Sequence, residues 1–260
     1  MNSIIYCAVG TAIFFCAATT MAQKPSVDHA LSEALSTDRQ YISWREHIID
    51  DPITAKELFN GSDGLVMADL DLDGFIDIVS VHESDSGYDS AVYDANLDVP
   101  LEGHVRIAFA TADPHVWTNI TLAEGDEVAA PEDAAIADVN GDGFPDVLVA
   151  AELGHLIYLQ NPGKNARSMP WPRLILPMTK NQGSYLRVFF ADFNNDGREE
   201  LVVSGFETRV NGGPALPSGG GLHAVDVDSD GRMDLTTFDD QTGTHAIYRG
   251  MKNGLAPAVS

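Results

Sequence analysis

Asp69-Leu70-Asp71-Leu72-Asp73-Gly74-Phe75-Ile76-Asp77 sets a pattern that recurs three more times in this 260-residue chain, in the segments Asp138 to Asp146, Asp192 to Glu200 and Asp226 to Asp234. Each copy places oxygen-bearing side chains at positions 1, 3, 5 and 9 around a glycine at position 6, which is Gly74, Gly143, Gly197 or Gly231. Such spacing wraps a backbone around a hard cation that takes about six to eight oxygens, the habit of calcium. The glycine supplies the positive φ of the sharp turn. An empty acidic turn is the competing reading, because Asp, Asn and Gly are ordinary turn residues, yet turn chemistry by itself does not ask for a ninth-position acid.

The spacing resembles the first half of an EF-hand loop and departs from it at position 12. An EF-hand places a bidentate Glu there and a helix on each side, whereas the four twelfth positions are Ser80, Val149, Val203 and Thr237. The flanks are short apolar and β-branched runs, such as Leu65-Val66-Met67-Ala68 before the first loop and Val147-Leu148-Val149-Ala150 after the second. Runs of that kind beside a tight turn are strands.

Two further markers keep register with the loops. Trp44, Trp117 and Trp171 each open an alternating, strand-like run, and the last two precede Asp138 and Asp192 by the same 21 residues. Gly103-His104-Val105, Gly154-His155-Leu156 and, more loosely, Gly243-Thr244-His245 follow the loops. Each unit therefore has four short strands, repeated at a 54-residue period between Asp138 and Asp192, which is the pattern of β-propeller blades.

With these residues in place, the chain resembles the FG-GAP or VCBS repeats of integrin α-subunit propellers and many exported bacterial proteins, over roughly residues 44 to 250. The resemblance implies an all-β propeller of four-stranded blades with Asp-rich calcium loops, and up to four calcium ions. It implies as ligands Asp69, Asp71, Asp73 and Asp77; Asp138, Asn140, Asp142 and Asp146; Asp192, Asn194, Asp196 and Glu200; and Asp226, Asp228, Asp230 and Asp234. Backbone carbonyls of Phe75, Phe144, Arg198 and Arg232 at position 7 would complete the shells. Loops 2 and 3 replace one carboxylate with Asn and loop 3 ends in the longer Glu, so loop 3 is expected to bind most weakly.

The repeat is irregular. About 15 extra residues follow loop 1, near Ser84 to Gly103, by comparison with loop 2. Loops 3 and 4 start only 34 residues apart, separated by the Gly- and Pro-rich stretch Asn211 to Gly221, which reads poorly as an interior strand. Four blades are legible, where a family propeller of this type usually has seven. A closed four-bladed ring and an incomplete larger one both remain open; the incomplete ring implies self-association through an exposed apolar face.

Residues 1–22 read as a signal peptide, uncharged from Ser3 to Ala22, with an uncleaved anchor as the alternative. Both cysteines, Cys7 and Cys16, lie within it, so a mature chain has no disulfide and metal can act as the staple. Residues 23–43 read as a linker or short helix, with Val27, Ala30, Leu31, Ala34 and Leu35 on one face, and residues 251–260 as a tail. The net charge of −24 argues against nucleic acid, which is bound at basic patches. These features imply a secreted, periplasmic or cell-surface protein with no membrane span after signal cleavage.

No HExxH or GxSxG motif is present, and no catalytic residue is assigned. His104, His155 and His245 recur at equivalent strand positions and read as packing or hydrogen-bonding residues. His82-Glu83, His115 and Tyr185 could reach one propeller face, which by analogy of fold alone suggests a polysaccharide lyase-like enzyme. The main reading is a non-catalytic, calcium-binding adhesion or binding module for a protein or carbohydrate ligand; the alternative is the secreted carbohydrate-active enzyme.

Overall fold

The computed structural model describes residues 30–39, 41–44, 47–84, 102–180, 184–204, 219–239, 243–252 and 254–255. The chain divides into two compact units, residues 1–47 and 48–260. The expected signal segment, the insertion residues 85–101 and most of the Gly- and Pro-rich stretch lie outside the described residues.

In the first unit, β1 (Ala30–Leu35) and β2 (Tyr41–Trp44) form an antiparallel pair. Over residues 30–35 and 41–43 this corrects the helix or linker expected for 23–43, and it makes Trp44 the partner of Ala30 and not the opening of a blade. The Ala and Leu spacing fits a helical face, but the turn at Ser36-Thr37-Asp38-Arg39 is closed by Arg39 N–H donating to the Ser36 carbonyl at 2.9 Å. It leads into Tyr41-Ile42-Ser43-Trp44, whose aromatic and β-branched residues favour a ladder over a weak helical period.

The second unit begins with one helical turn, α1 (Pro52–Ala55). Then come β3 (Ser62–Ala68), β4 (Asp77–His82), β5 (His104–Phe109) and β6 (Thr118–Glu124), which form one four-stranded antiparallel sheet in sequence order. A second such sheet holds β7 (Pro131–Ala137), β8 (Asp146–Ala151), β9 (Leu156–Leu159) and β10 (Arg173–Ile175). β11 (Arg187–Ala191) pairs with β12 (Glu200–Ser204). β13 (Gly219–Val225), β14 (Asp234–Asp239) and β15 (Thr244–Tyr248) make a three-stranded sheet. β16 (Gly250–Met251) and β17 (Gly254–Leu255) form a last pair, so the expected tail is strand-paired as far as Leu255.

The architecture is all-β and propeller-like, with an acidic loop joining β3 to β4, β7 to β8, β11 to β12 and β13 to β14, the first two strands of four sheets. Two details differ from expectation. Trp117 and Trp171 precede β6 and β10, which close the sheet already begun, so the 21-residue spacing runs from one sheet's fourth strand to the next sheet's loop. Gly219 to Gly221 open β13, where a register shift between Gly219 and Gly221 at a sheet edge accommodates residues that an interior strand would reject.

Successive sheets stack through their first strands, β3 against β7 and β7 against β11. The second sheet is buried on both faces. Along β8 and β9, Val147, Val149, Ile157 and Leu159 enter a cluster with Val79, Val81, Val105, Ile107 and Phe109 of the first sheet. Their neighbours Leu148, Ala150 and Leu156 enter a different cluster with Val188 of β11. A period of two with both faces apolar explains why β8 reads as an unbroken apolar run. Each such fully buried side chain contributes about 1.5–3 kcal/mol. The stacking is close enough to require glycine: a Cβ on Gly64 would lie 2.8 Å from Asp133 Cα, and one on Gly103 would lie 2.2 Å from the Val128 carbonyl oxygen.

The first sheet's other face is polar. Ser80, Arg106 and Thr121 form one cross-strand row and His82, His104 and Glu124 the next. Residues 49–59 lie over it: Asn119 Nδ2 donates to the Ile49 carbonyl at 2.8 Å, and Arg106 donates to Asp50 and Glu57.

Candidate metal centre

The strand pairing that brackets each loop is the same in all four: Ala68 with Asp77, Ala137 with Asp146, Ala191 with Glu200, and Val225 with Asp234. The position-1 carboxylate of Asp69, Asp138, Asp192 and Asp226 accepts the N–H of position 5 at 3.0 to 3.1 Å. Its second oxygen accepts the N–H of the position-6 glycine at 2.8 to 2.9 Å. One oxygen of the position-5 aspartate, Asp73, Asp142, Asp196 or Asp230, accepts the N–H of position 7 at 2.9 Å. The position-6 glycines have φ between 86° and 93°. Position 4 is left-handed as well, at Leu72, Gly141, Asn195 and Ser229, with φ between 59° and 75°. The sequence pattern does not reveal this second reversal, because only loop 2 answers it with glycine.

Position 9 has a role that needs no cation. Asp77, Asp146, Glu200 and Asp234 each accept the N–H of position 2 at 2.8 to 3.1 Å. In loops 1, 2 and 4 the other oxygen accepts an N–H just past the sheet's third strand, from Ala110, Asn161 or Gly250, at 2.8 Å each. All three aspartates are essentially fully buried. The acid therefore clips the third strand to the loop. Burial pushes the Asp77 carboxyl up to about 6 and raises Asp146 as well. At Asp234 burial acts in the same direction, but the Gly250 and Val227 N–H groups and the Arg249 guanidinium outweigh it and hold the group below its usual range.

The donor set of the loops fits calcium: every implied ligand is a carboxylate, amide or carbonyl oxygen. One oxygen each from Asp69, Asp71 and Asp77 lie within 4.8 Å of one another, as do those of Asp192, Asp196 and Glu200 and those of Asp226, Asp228 and Asp230. In loop 3, Asn194 Oδ1 is buried with no hydrogen-bond partner, while its Nδ2 donates to Glu200 Oε1 at 2.8 Å. An orphaned oxygen at a ligand position costs free energy unless a donor or a cation meets it, and a cation is the partner its position in the loop suits. In loop 2, Asn140 accepts from Asp142 N–H at 2.8 Å through its oxygen, and Tyr158 donates to Asp146 at 2.8 Å. When bound, calcium supplies positive charge among these carboxylates and cross-links the loop; the chain's own residues set the donors in place.

Arginines stand in two of the loops. Arg167, from the second sheet's β9–β10 connection, pairs through Nε with Asp71 and through its terminal nitrogen with Asp73 at 2.5 Å. It also donates to the Ala110 carbonyl at 3.0 Å and lies over the Phe109 ring at 5.2 Å. In loop 4, Arg249 reaches Asp228 at 3.1 Å and Asp234 at 2.9 Å. The carboxylate count alone could not show these competitors, since Arg167 lies far from loop 1 in sequence.

The polar residues suspected of sharing one face are not brought together. His82 is buried, with Ser80 Oγ 2.9 Å from its Nε2 and its ring 4.6 Å from that of Phe59; burial pushes it down to about 4. His115 lies in the β5–β6 connection, at the other end of that sheet. Tyr185 packs in the second apolar cluster and reaches the Thr179 carbonyl at 3.4 Å. His155 lies 2.9 Å from the Glu127 carbonyl and the His245 ring packs 4.7 Å from Phe238, whereas His104 faces Glu57. Asp50, Glu57, Arg106 and Glu124 were not singled out from sequence. The one available signal was His104 and Arg106 alternating with Val105, Ile107 and Phe109 in a strand otherwise suited to burial on both sides.

Among the described residues no helix is long and apolar enough to cross a membrane. No curated protein matches the sequence. Residues 138–203, which span the second and third loops and the strands around them, match the family model for the FG-GAP-like repeat. Residues 138–203 thus carry an FG-GAP-like repeat, and the loops outside that segment share its backbone geometry.

Proposed function

We propose that this chain is a calcium-binding, extracytoplasmic binding or adhesion module, non-catalytic, that presents its blade-end loops to a protein or carbohydrate ligand. The observation that carries the calcium part is the buried, partnerless Asn194 Oδ1 inside a loop whose backbone scaffold is repeated three more times. Repetition supports the adhesion part: four rigid sheets hold their connecting loops at fixed positions, and such loops are where repeat scaffolds carry recognition. The acidic balance of the chain suits an ion-rich exterior and a ligand met through bound cations.

Thermal unfolding with calcium and with chelator tests the proposal. A cation that binds the folded state at 100 times its dissociation constant stabilises it by about 2.7 kcal/mol per site. A melting temperature that is the same in both conditions sinks the calcium reading. If calcium does raise it, a glycan and extracellular-protein binding screen carried out with and without the ion tests the module reading; calcium-dependent retention supports it, and turnover of a glycan overturns its non-catalytic part.

A further inference from the structure

The polar face of the first sheet ends in a donor set of a different kind from the acidic loops. His104 opens β5, and its cross-strand partners are His82 on β4 and Glu124 on β6. These residues lie at the opposite end of the sheet from loop 1, which joins Ala68 to Asp77. His104 Nε2 lies 3.3 Å from Glu57 Oε1, and one donor atom each of Glu57, His104 and Glu124 lie within 4.8 Å of one another. A cleft of about 670 Å³, lined by Phe59, Ser84, Glu102, His104 and Glu124 among others, opens onto the last two.

The surrounding hydrogen bonds orient the three donors. Glu57 Oε2 accepts from Arg106 at 3.0 Å and from Thr121 Oγ1 at 2.8 Å, which leaves Oε1 turned toward His104. Arg106 is itself buried and braced by Asp50 at 2.5 and 3.1 Å. Ser84 Oγ lies 3.5 Å from the His82 carbonyl oxygen and 2.7 Å from His104 Nδ1. With Ser84 Oγ as the acceptor of an Nδ1 proton, a neutral His104 turns a bare lone pair on Nε2 toward a carboxylate oxygen. Two lone pairs so close repel unless a proton or a metal ion lies between them.

We propose that Glu57, His104 and Glu124 form a second metal site, selective for a divalent transition ion of the zinc type and distinct from the calcium loops. One imidazole nitrogen with carboxylate oxygens suits zinc, whereas the loops offer oxygen only. Arg106, Thr121 and Ser84 are positioning residues that hold the ligands from behind, the arrangement that tunes metal sites generally. With three protein ligands and the cleft on the remaining side, the ion keeps an open position toward solvent. The site stands independently of the calcium reading, because it shares no residue with the loops.

The test is zinc titration of the full chain in excess calcium, followed by metal analysis after gel filtration, for the parent and for His104→Ala and Glu124→Gln. Glu124 is exposed, so Glu124→Gln leaves the core untouched. One zinc per chain in the parent, with affinity reduced ten-fold or more in both variants and calcium content unchanged, is the expected result. No zinc retained in calcium overturns the proposal, and so does zinc retained equally by the parent and both variants, which would place it elsewhere.

Discussion

Replacing Arg167 with glutamine should strengthen calcium binding at loop 1 while weakening the ion-free fold. The guanidinium pairs with Asp71 and Asp73 at oxygens that the loop backbone does not use, and these face the implied cation. Its side chain is 30% exposed, so each pair falls in the range of partly screened surface pairs, about 0.2–1 kcal/mol. Two pairs sum to at most about 2 kcal/mol, and the stacking on Phe109 adds about 0.5–1 kcal/mol. The ion-free protein should therefore lose about 1–2 kcal/mol. If the incoming cation must displace the guanidinium, loop 1 affinity rises by roughly 3- to 30-fold in the variant, since about 1.4 kcal/mol is ten-fold. The four position-6 glycine amides, each donating to its own position-1 aspartate, give a site-resolved readout by NMR during titration. Loop 1 filling at the same calcium concentration in both proteins, or later in the variant, would refute the competition argument. The same titration tests whether loop 3, with Asn194 and Glu200, fills last.

Gly103→Ala should lower stability by about 1–3 kcal/mol, because its Cβ would stand 2.2 Å from the Val128 carbonyl oxygen and 2.6 Å from Pro131 Cδ, and backbone must shift; denaturant melts measure it. Leu72→Asn should raise stability by several tenths to about 1 kcal/mol in thermal melts, since Leu72 is exposed with φ 59° and Asn tolerates that region better. Glu132 is pushed up to about 8, first by burial and then by its hydrogen bond to Glu83 and the nearby charge of Glu152. It is protonated in the folded chain and ionised in the unfolded chain between about 4.5 and 8, so stability it supports at low pH is lost as pH rises through that window. Glu132→Gln should remove this loss, flattening the stability profile there by up to about 1.4 kcal/mol per pH unit; equal slopes in parent and variant would contradict the assignment.

The loops were legible in sequence because their chemistry is local. Nine residues with oxygens at fixed offsets and a glycine at position 6 specify one turn, and the pairing of Ala68 with Asp77 and its three counterparts fixes where the strands start. What spacing could not tell was which neighbour a strand chooses. Trp117 and Trp171 lie at a constant distance from the following loop, yet β6 and β10 behind them bond to the preceding sheet, because an antiparallel meander is completed before the chain crosses over. The hairpin of residues 30–44 was misread for a related reason, since Ala30, Leu31 and Leu35 suit a helical stripe and a strand alike. The cluster of Glu57, His104 and Glu124 has no repeat and no motif. It exists only because residues 49–59 fold back across the polar face of one sheet, a long-range event that leaves no local trace.

The ninth-position carboxylate is where architecture and ion binding separate. In loops 1, 2 and 4 it joins the loop's second amide to the segment leaving the third strand, whether or not a cation sits nearby. A copy of the unit could therefore lose its third- and fifth-position acids, and with them its ion, and still assemble into the same stack. Under the proposed calcium reading, affinity can drift from one copy to the next while the shape stays put, which would let a tandem array grade its ion response without being rebuilt.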